Sequence, residues 1–461
     1  MDYDVIILGG GLAGCATACA LSQYNLNIAV IERNFDIAEE VAPFITSFIS
    51  DGTDIPDERL FLDLKESKTE LLRIAEALNL DFRVEPSLSV YESDAEFQAV
   101  KERIARRGIQ GVRQLSAGEA QKLSPHIKDD ARNILHHQET GIISPYDFAT
   151  ALGEIAFDNG VRFRLEEEVK AIEKSGRDEV RVITDKSRYS CRVAVITAFN
   201  DLYLGHKEAK VASSNIPLET MLLEKNFTTD IKTMLNIFRE DGNATSIMPT
   251  FSGNTVVAVE TPLRMDYKSV KKTAEGIIGP FPAERVDLLT VTSFYDDPVT
   301  ITDLSEESGY INLQCKNHNL YAVLPMITRK VEEMVVSKFK ATKNRDYIFK
   351  RRQYYNFREM SNEERNEAIK FDERYGKMIC PCSLVTEGEI VNAIRRPLGA
   401  RTIEGVRRRT GIVFGSCQGA YCLNAILKIL SRELGKKPEE IINDRKDSRI
   451  LTARIKEFDS I

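Results

Sequence analysis

Four cysteines near the C-terminal end are the residues whose spacing most plainly prescribes chemistry. Cys380 and Cys382 form a C-x-C pair, and Cys417 and Cys422 form a C-x4-C pair 34 residues further on. Two thiol pairs brought together by a folded segment supply four ligands, enough for tetrahedral zinc or a [2Fe–2S] cluster. Spacing alone does not separate the two. Arg395, Arg396, Arg401, Arg407, Arg408 and Arg409 lie between the pairs. They can offset the charge of a thiolate-ligated cluster or dock an acidic partner. The plainer expectation for most of them is a solvated helical face.

The second constellation is at the other end. Gly9, Gly11 and Gly14 fit G-x-G-x-x-G, directly after the apolar run Val5 to Leu8 and before a helix-compatible segment reaching about Tyr24. A break at Asn25 to Asn27, a second apolar run (Ile28 to Ile31) and Glu32 follow in order. The first glycine permits a tight turn, the second lets the backbone approach a pyrophosphate, and the third lets the helix pack closely on the strand. The helix N-terminus then favours an anion. Glu32 can accept hydrogen bonds from a ribose 2′-hydroxyl, which favours FAD or NAD over a 2′-phosphorylated cofactor. Cys15 and Cys19, four apart on that helix, read as small core residues.

Elements that must position these groups can be read along the chain. An amphipathic helix is expected from about Asp57 to Leu78, covering the sheet with Leu60, Leu64, Leu71, Leu72 and Ile74. DFRVEPSLSVYES resembles strands, KERIARRGIQGV a helix ending at glycine, and SAGEAQKLSPHI a helix opened by a serine cap and closed before Pro125. A helix starts near Pro145, capped by Ser144 or Asp147, and ends at Asn159 and Gly160; a strand from Val161 to Leu165 follows. Residues 180–198 read as a hairpin and a return strand, and Gly253 with Asn254 as a hairpin turn. A strand then a helix are expected over 309–336. The charged stretch from Lys343 to Gly376 reads as a linker or surface segment. His136 and His137 are adjacent but lack ligand spacing, so metal binding there is not expected.

Composition bounds the rest. The chain has 461 residues, 43% hydrophobic and 29% charged, with net charge −7 and eight cysteines. These are ordinary globular values, and length suggests two or three domains. The acidic balance, with no aromatic interleaving among the arginines, argues against a nucleic-acid partner. No apolar run is long enough for a transmembrane segment, and the first one leads into a nucleotide turn rather than a signal-peptide cleavage site. Cysteine usage suggests a reducing compartment, so a cytoplasmic location is expected, with a place peripheral to a membrane through a partner compatible with it.

The N-terminal fingerprint and TGIISPYDFATALGEIAFDNGV resemble FAD-dependent oxidoreductases of the D-amino-acid-oxidase and anaerobic glycerol-3-phosphate-dehydrogenase type. ICPCSLVTEGEIVNAIRRPLGARTIEGVRRRTGIVFGSCQGAYC resembles the bacterioferritin-associated-ferredoxin-like [2Fe–2S] domain appended to anaerobic members, and NFREMSNEERNEAIKFDERYGK resembles the linker before it. The resemblance implies an α/β fold: a Rossmann-like FAD-binding domain from 1–85, 145–200 and 301–345, and a mixed β-rich substrate domain from 86–144 and 201–300. A linker over 346–374, a small helical [2Fe–2S]-binding domain over 375–435 and a tail over 436–461 complete it. It implies FAD on Gly9, Gly11, Leu12, Ala13, Gly14, Glu32, Arg33, Thr46 and Ser47, with Val169 meeting the adenine, and a [2Fe–2S] cluster on Cys380, Cys382, Cys417 and Cys422. It also implies a second flavoprotein and a small redox subunit as partners.

The middle of the chain departs from that family. A serine-glycine-x-x-histidine-alanine-glycine segment beside the flavin becomes TSFISDG over 46–52, with Ser50 in the histidine's place. A glycine-leucine-arginine-proline segment becomes SFYDDPV, with Asp296 and Asp297 and no arginine, and a late glycine-rich segment becomes QCKNHNLYAV. Aspartate repels an anion that arginine would hold, which favours a neutral or amine substrate over a phosphate. Two functions follow. One is a dehydrogenase that oxidises a small alcohol or amine and passes electrons through the cluster; the other is an electron-transfer subunit without its own substrate chemistry.

Overall fold

The computed structural model describes residues 1–39, 47–176, 179–197, 215–224, 233–251, 253–295, 299–314, 317, 319–412 and 417–452. Its first layer is a six-stranded sheet in the order Thr300–Leu304, Tyr310–Gln314, Val193–Ile196, Val5–Leu8, Ile28–Ile31 and Arg162–Arg164. All neighbours are parallel except the first pair. The central strands are apolar throughout because both faces are buried. Val5, Ile7, Ile28, Val30, Val193 and Val195 face the helices Leu12–Leu21, Pro145–Asp158 and Leu320–Phe339. Ile6, Leu8, Ala29, Ile31, Ala194 and Ile196 face an antiparallel meander of Val169–Lys174, Val180–Thr184 and Arg188–Cys191. One strand period thus feeds two cores, as side chains alternate across a sheet.

The helix expected near 57–78 runs Glu58–Ala77, with the Asp57 side chain accepting from Leu60 N–H. It covers the helix Leu320–Phe339 rather than the sheet. Pro325 interrupts the ladder of that second helix, and the Ser67 hydroxyl accepts the Met326 N–H at 3.2 Å. The caps at Ser116 and Ser144 and the stop at Gly108 fall where the sequence places them, while the helix ending there starts earlier than the stretch from Lys101, at Asp94, capped by Ser93.

The second layer is an eight-stranded sheet in the order Val286–Tyr295, Asn215–Leu223, Thr255–Glu260, Ala244–Pro249, Met234–Phe238, Ser87–Tyr91, Asn133–His137 and Val112–Leu115. One face is covered by the helix Tyr267–Ile278. The other packs at one end under the helix Asp94–Arg107 and elsewhere against Ile142 and Phe48. Phe48 and Ile142 belong to the short sheet that joins Ser47–Ile49 and Phe82–Val84 to Gly141–Ile143.

The C-terminal unit gathers the helices Glu387–Arg395, Ile403–Thr410 and Leu423–Leu434 around Ile390, Ile394, Val406, Ile426 and Leu430. Residues 436–452 do not trail away from it. Ile441 is buried in the same core, and Ile403 N–H donates to Ile442 O at 3.1 Å. The charged stretch 343–376 is likewise packed rather than a surface linker. Tyr347 and Phe349 join the first core, Phe357 is buried with Tyr375 and Ala368, and Arg352 pairs with Asp158 at 2.6 Å. Its polarity hides aromatic anchors spaced among charges, of which Arg351 and Arg352 pair with Asp147 and Asp158 on the helix Pro145–Asp158, while Arg358, Lys370 and Arg374 pair within the stretch itself.

Candidate functional site

The turn after Val5–Leu8 is built for close approach of a ligand to backbone. Gly9 has φ 110°, a conformation glycine adopts without strain. A Cβ on Gly14 would lie 1.9 Å from Gly9 O. The next helix starts at Leu12, and Gly11 before it offers no side-chain cap, which leaves the cap position to an anion. Glu32, at the end of the second strand, is buried and holds the turn from the side. Its Oε2 accepts from Gly10 N–H at 2.7 Å and its Oε1 from Asn34 N–H at 2.9 Å. Burial pushes its carboxyl above the usual range, and these backbone donors oppose the shift.

The strand Val169–Lys174 begins against this corner, because Glu167 N–H donates to Glu32 O and Glu166 N–H to Asn34 O. Val169 is buried there, while Arg33 is exposed. Ser47 lies further along, on the strand Ser47–Ile49, in hydrogen-bond contact with Tyr321 at the start of the helix Leu320–Phe339. Thr46, Asp296 and Asp297 lie outside the described residues, as do Cys315, Lys316 and His318 of the late segment. Gly9, Gly11, Leu12, Ala13, Gly14, Glu32 and Val169 are therefore brought to one corner, with the donors and the glycine cradle a dinucleotide needs.

The cysteines come together as two pairs. Cys382 Sγ lies 3.8 Å from Cys417 Sγ, and Cys422 lies near enough to Cys380 for the two thiols to interact electrostatically. Cys380 and Cys422 are buried in the C-terminal core, whereas Cys382 is exposed. Among the described residues no three thiol, imidazole or carboxylate groups converge as a single metal ion requires. Two thiol pairs suit the two irons of a [2Fe–2S] centre better than one zinc.

Sequence patterns decide the family. The pattern of the family described as FAD dependent oxidoreductase matches residues 4–287, and that of the BFD-like [2Fe-2S] binding domain matches residues 378–432. The chain belongs to the FAD dependent oxidoreductase family. A glycerol 3-phosphate dehydrogenase of Caloramator mitchellensis is 31% identical over 98% of this chain and 99% of its own length. An L-2-hydroxyglutarate dehydrogenase of Indibacter alkaliphilus is 28% identical over 31% of this chain and 37% of its own. Among solved structures, the dithionite-reduced, FAD-bound L-alpha-glycerophosphate oxidase of Mycoplasma pneumoniae shares the fold, with TM-score 0.65 and 19% identity over 77% of this chain and 99% of that one. Glycine oxidase from Geobacillus kaustophilus shares it at TM-score 0.61 and 16% identity over 77% of this chain and 99% of that one. This FAD-dependent oxidoreductase carries FAD in its α/β body and a [2Fe–2S] cluster in its C-terminal domain.

Of the arginines between the cysteine pairs, Arg395 and Arg401 are exposed as expected, whereas the Arg396, Arg408 and Arg409 side chains are buried. Arg396 makes a bidentate pair with Glu154, at 2.7 and 2.5 Å, and both side chains are buried. Arg409 grips Asp36 with both terminal nitrogens, one bond being 2.6 Å, and also donates to Leu398 O at 2.6 Å. Arg408 reaches Asp444 at 3.1 Å and Glu39 at 3.4 Å. Asp36 and Glu39 follow Glu32 on the loop whose Ala38 N–H donates to Gly10 O at 2.9 Å, so the cluster domain is clamped to the dinucleotide turn itself. The sequence carries a signal for this: arginines on two short helices, and acids directly after the ribose-binding position. Nothing in their spacing says that they meet.

Two predictions arise from this clamp. Asp36→Ala leaves the Arg409 guanidinium buried without its carboxylate, which costs about 3–5 kcal/mol. Thermal unfolding of the variant is expected several degrees below wild type, and adding Arg409→Met is expected to recover much of the loss, because removing both charges removes the orphan. Glu39 gives a pH effect. Burial, opposed by Arg408 and reinforced by Asp36, pushes its carboxyl up to about 7. The folded state then binds a proton that the unfolded chain has released, so this group's contribution to stability falls as pH rises from the ordinary carboxyl range to about 7 and is level above it. The Tm difference between Glu39→Gln and wild type should therefore move in favour of the variant across that window. A difference independent of pH would refute the assignment.

Proposed function

We propose that the protein is a dehydrogenase that oxidises a small hydroxylated substrate, of the chemical class to which glycerol 3-phosphate belongs, and passes the electrons singly through its cluster to a partner redox protein. The observation that carries this reading is the likeness to a glycerol 3-phosphate dehydrogenase across nearly the whole of both chains, cluster domain included. FAD when bound accepts two electrons as a hydride, and a [2Fe–2S] centre carries one, so the two together convert paired transfer into single transfer. Gly9, Gly11, Leu12, Ala13 and Gly14 hold the pyrophosphate, Glu32 and Arg33 the ribose side, Val169 the adenine, and Ser47, with Thr46 before it, the flavin end. Cys380, Cys382, Cys417 and Cys422 hold the cluster. The exposed edge at Cys382 and Tyr421 is the side offered to a second flavoprotein or small redox subunit.

Anaerobic spectroscopy tests the reading. Glycerol 3-phosphate, glycerol, 2-hydroxy acids, amines and amino acids are added in turn while the flavin band is followed. Bleaching by an alcohol of this class is the expected result. Bleaching by dithionite alone would instead favour an electron-transfer subunit.

A further inference from the structure

The face of the eight-stranded sheet turned toward Ile142 and Phe48 carries a row of polar, uncharged side chains. Register aligns Ser89, Asn236, Ser246, Ala258, Thr220 and Thr290 on five neighbouring strands plus the edge strand beside them. Each stands directly opposite the next, and residues paired in this way project to the same side of the sheet. The adjoining row is apolar: Met234, Met248, Val256 and Leu222 belong to the core that includes Ile142. At the far side of that apolar row stands His137, opposite Ser87, with Nδ1 2.8 Å from Asp51 Oδ2.

Polar groups in such a position ordinarily find partners, because an unsatisfied buried donor or acceptor costs about 1–3 kcal/mol. Here two have none: Thr290 Oγ1 and His137 Nε2 are buried without a hydrogen-bond partner among the described residues, and Thr220, 2% exposed, stands beside Thr290 in the row. The Asn236 amide and the Ser246 hydroxyl face one another across the sheet, half-buried. Among the described residues of these strands, no lysine or arginine projects from this face. A row of neutral donors and acceptors beside an apolar strip cannot offset an anionic charge, but it matches hydroxyl groups carried on a short carbon chain.

We infer that this row, with Thr220, Asn236 and Ser246 at its centre, is the surface that reads the non-reacting hydroxyls of a polyol substrate, and that any charged group of that substrate lies off the sheet. The inference rests on the dehydrogenase reading and adds the feature of the substrate that is selected. An amine or a simple 2-hydroxy acid, having no further hydroxyl, leaves the row unmatched.

The test compares glycerol 3-phosphate with propane-1,2-diol 1-phosphate, which keeps the secondary alcohol and the phosphate and lacks one hydroxyl. Two measurements are made on the FAD-loaded, cluster-containing protein: kcat/KM for anaerobic flavin reduction, and ligand-induced shift of Tm in the oxidised state. Wild type should prefer the triol derivative by about 10-fold, the worth of one or two neutral hydrogen bonds. Thr220→Val, which preserves shape, and Asn236→Leu should each reduce that preference to about 3-fold or less, with the flavin spectrum unchanged. Equal treatment of the two compounds by wild type, or undiminished preference in both variants, overturns the inference. If neither compound bleaches the wild-type flavin, the dehydrogenase reading fails separately. The Tm shifts then decide the inference alone: preference for the triol derivative that the variants lose sustains it, and no preference overturns it.

Discussion

Gly14→Ala should yield a protein that holds no FAD. The added Cβ would stand 1.9 Å from Gly9 O and 3.1 Å from Thr197 Oγ1, and the first of these is backbone in the tightest part of the turn. Relief requires the helix Leu12–Leu21 to move away from the strand Val5–Leu8, which opens the turn at the place where the pyrophosphate must approach. That helix is buried along nearly its whole length, with Leu12, Cys15, Ala16, Ala18, Cys19 and Leu21 all in the first core. The shift therefore propagates into packing, and overpacking of this kind costs about 1–3 kcal/mol or more. Flavin content per chain, read from absorbance after denaturation, is expected to fall from near one to near zero. Gly118→Ala, where a Cβ meets nothing within 4 Å, is the matched control and should keep its flavin. Full flavin occupancy in Gly14→Ala would remove the turn from the cofactor site.

The contrast between those two glycines shows what the sequence could and could not disclose. The dinucleotide corner was legible because its parts are local: strand, turn, helix, second strand and acid follow one another within about 30 residues, the context this motif needs. Capping serines and helix stops were legible for the same reason, since Ser116 and Ser144 act on residues three positions away. The clamp between Arg409 and Asp36 joins residues 373 apart, and neither residue carries any local sign of its partner. The row from Ser89 to Thr290 is similarly silent. Serine, threonine and asparagine on a strand normally mark its solvent side, and only the register of six strands, one of them (Ser87–Tyr91) brought in from a distant segment, shows that these share one covered face. The helix over Glu58–Ala77 illustrates a third case: periodicity placed Leu60, Leu64 and Leu71 on the buried stripe but also Leu72, which is exposed, and a stripe does not say whether a sheet or another helix will cover it.

The cluster domain permits a sharper separation of roles, because its four cysteines differ in environment while sharing one ligand set. Cys382→Ser and Cys422→Ser should each lose the iron, from about two per chain to near zero, since a [2Fe–2S] centre needs all four thiolates. Their effects on the fold should differ. Cys382 is exposed, so its replacement removes a ligand and little packing. Cys422 is fully buried at the start of the helix Leu423–Leu434, among Ile426, Leu430 and Ile390, and serine there puts a hydroxyl into an apolar core. An unsatisfied buried hydroxyl costs about 1–3 kcal/mol, so Cys422→Ser should unfold at a lower temperature than Cys382→Ser although both are equally iron-free. The flavin end should be spared in the exposed variant: Glu154–Arg396 and Asp36–Arg409 still seat the domain on the body. Cys382→Ser is therefore expected to be reduced by substrate at the wild-type rate while transfer to a one-electron acceptor falls by at least tenfold. Stopped-flow absorbance separates these two half-reactions. Loss of both together would mean that the cluster shapes the flavin site, and retention of both would place the route of electrons away from the cluster.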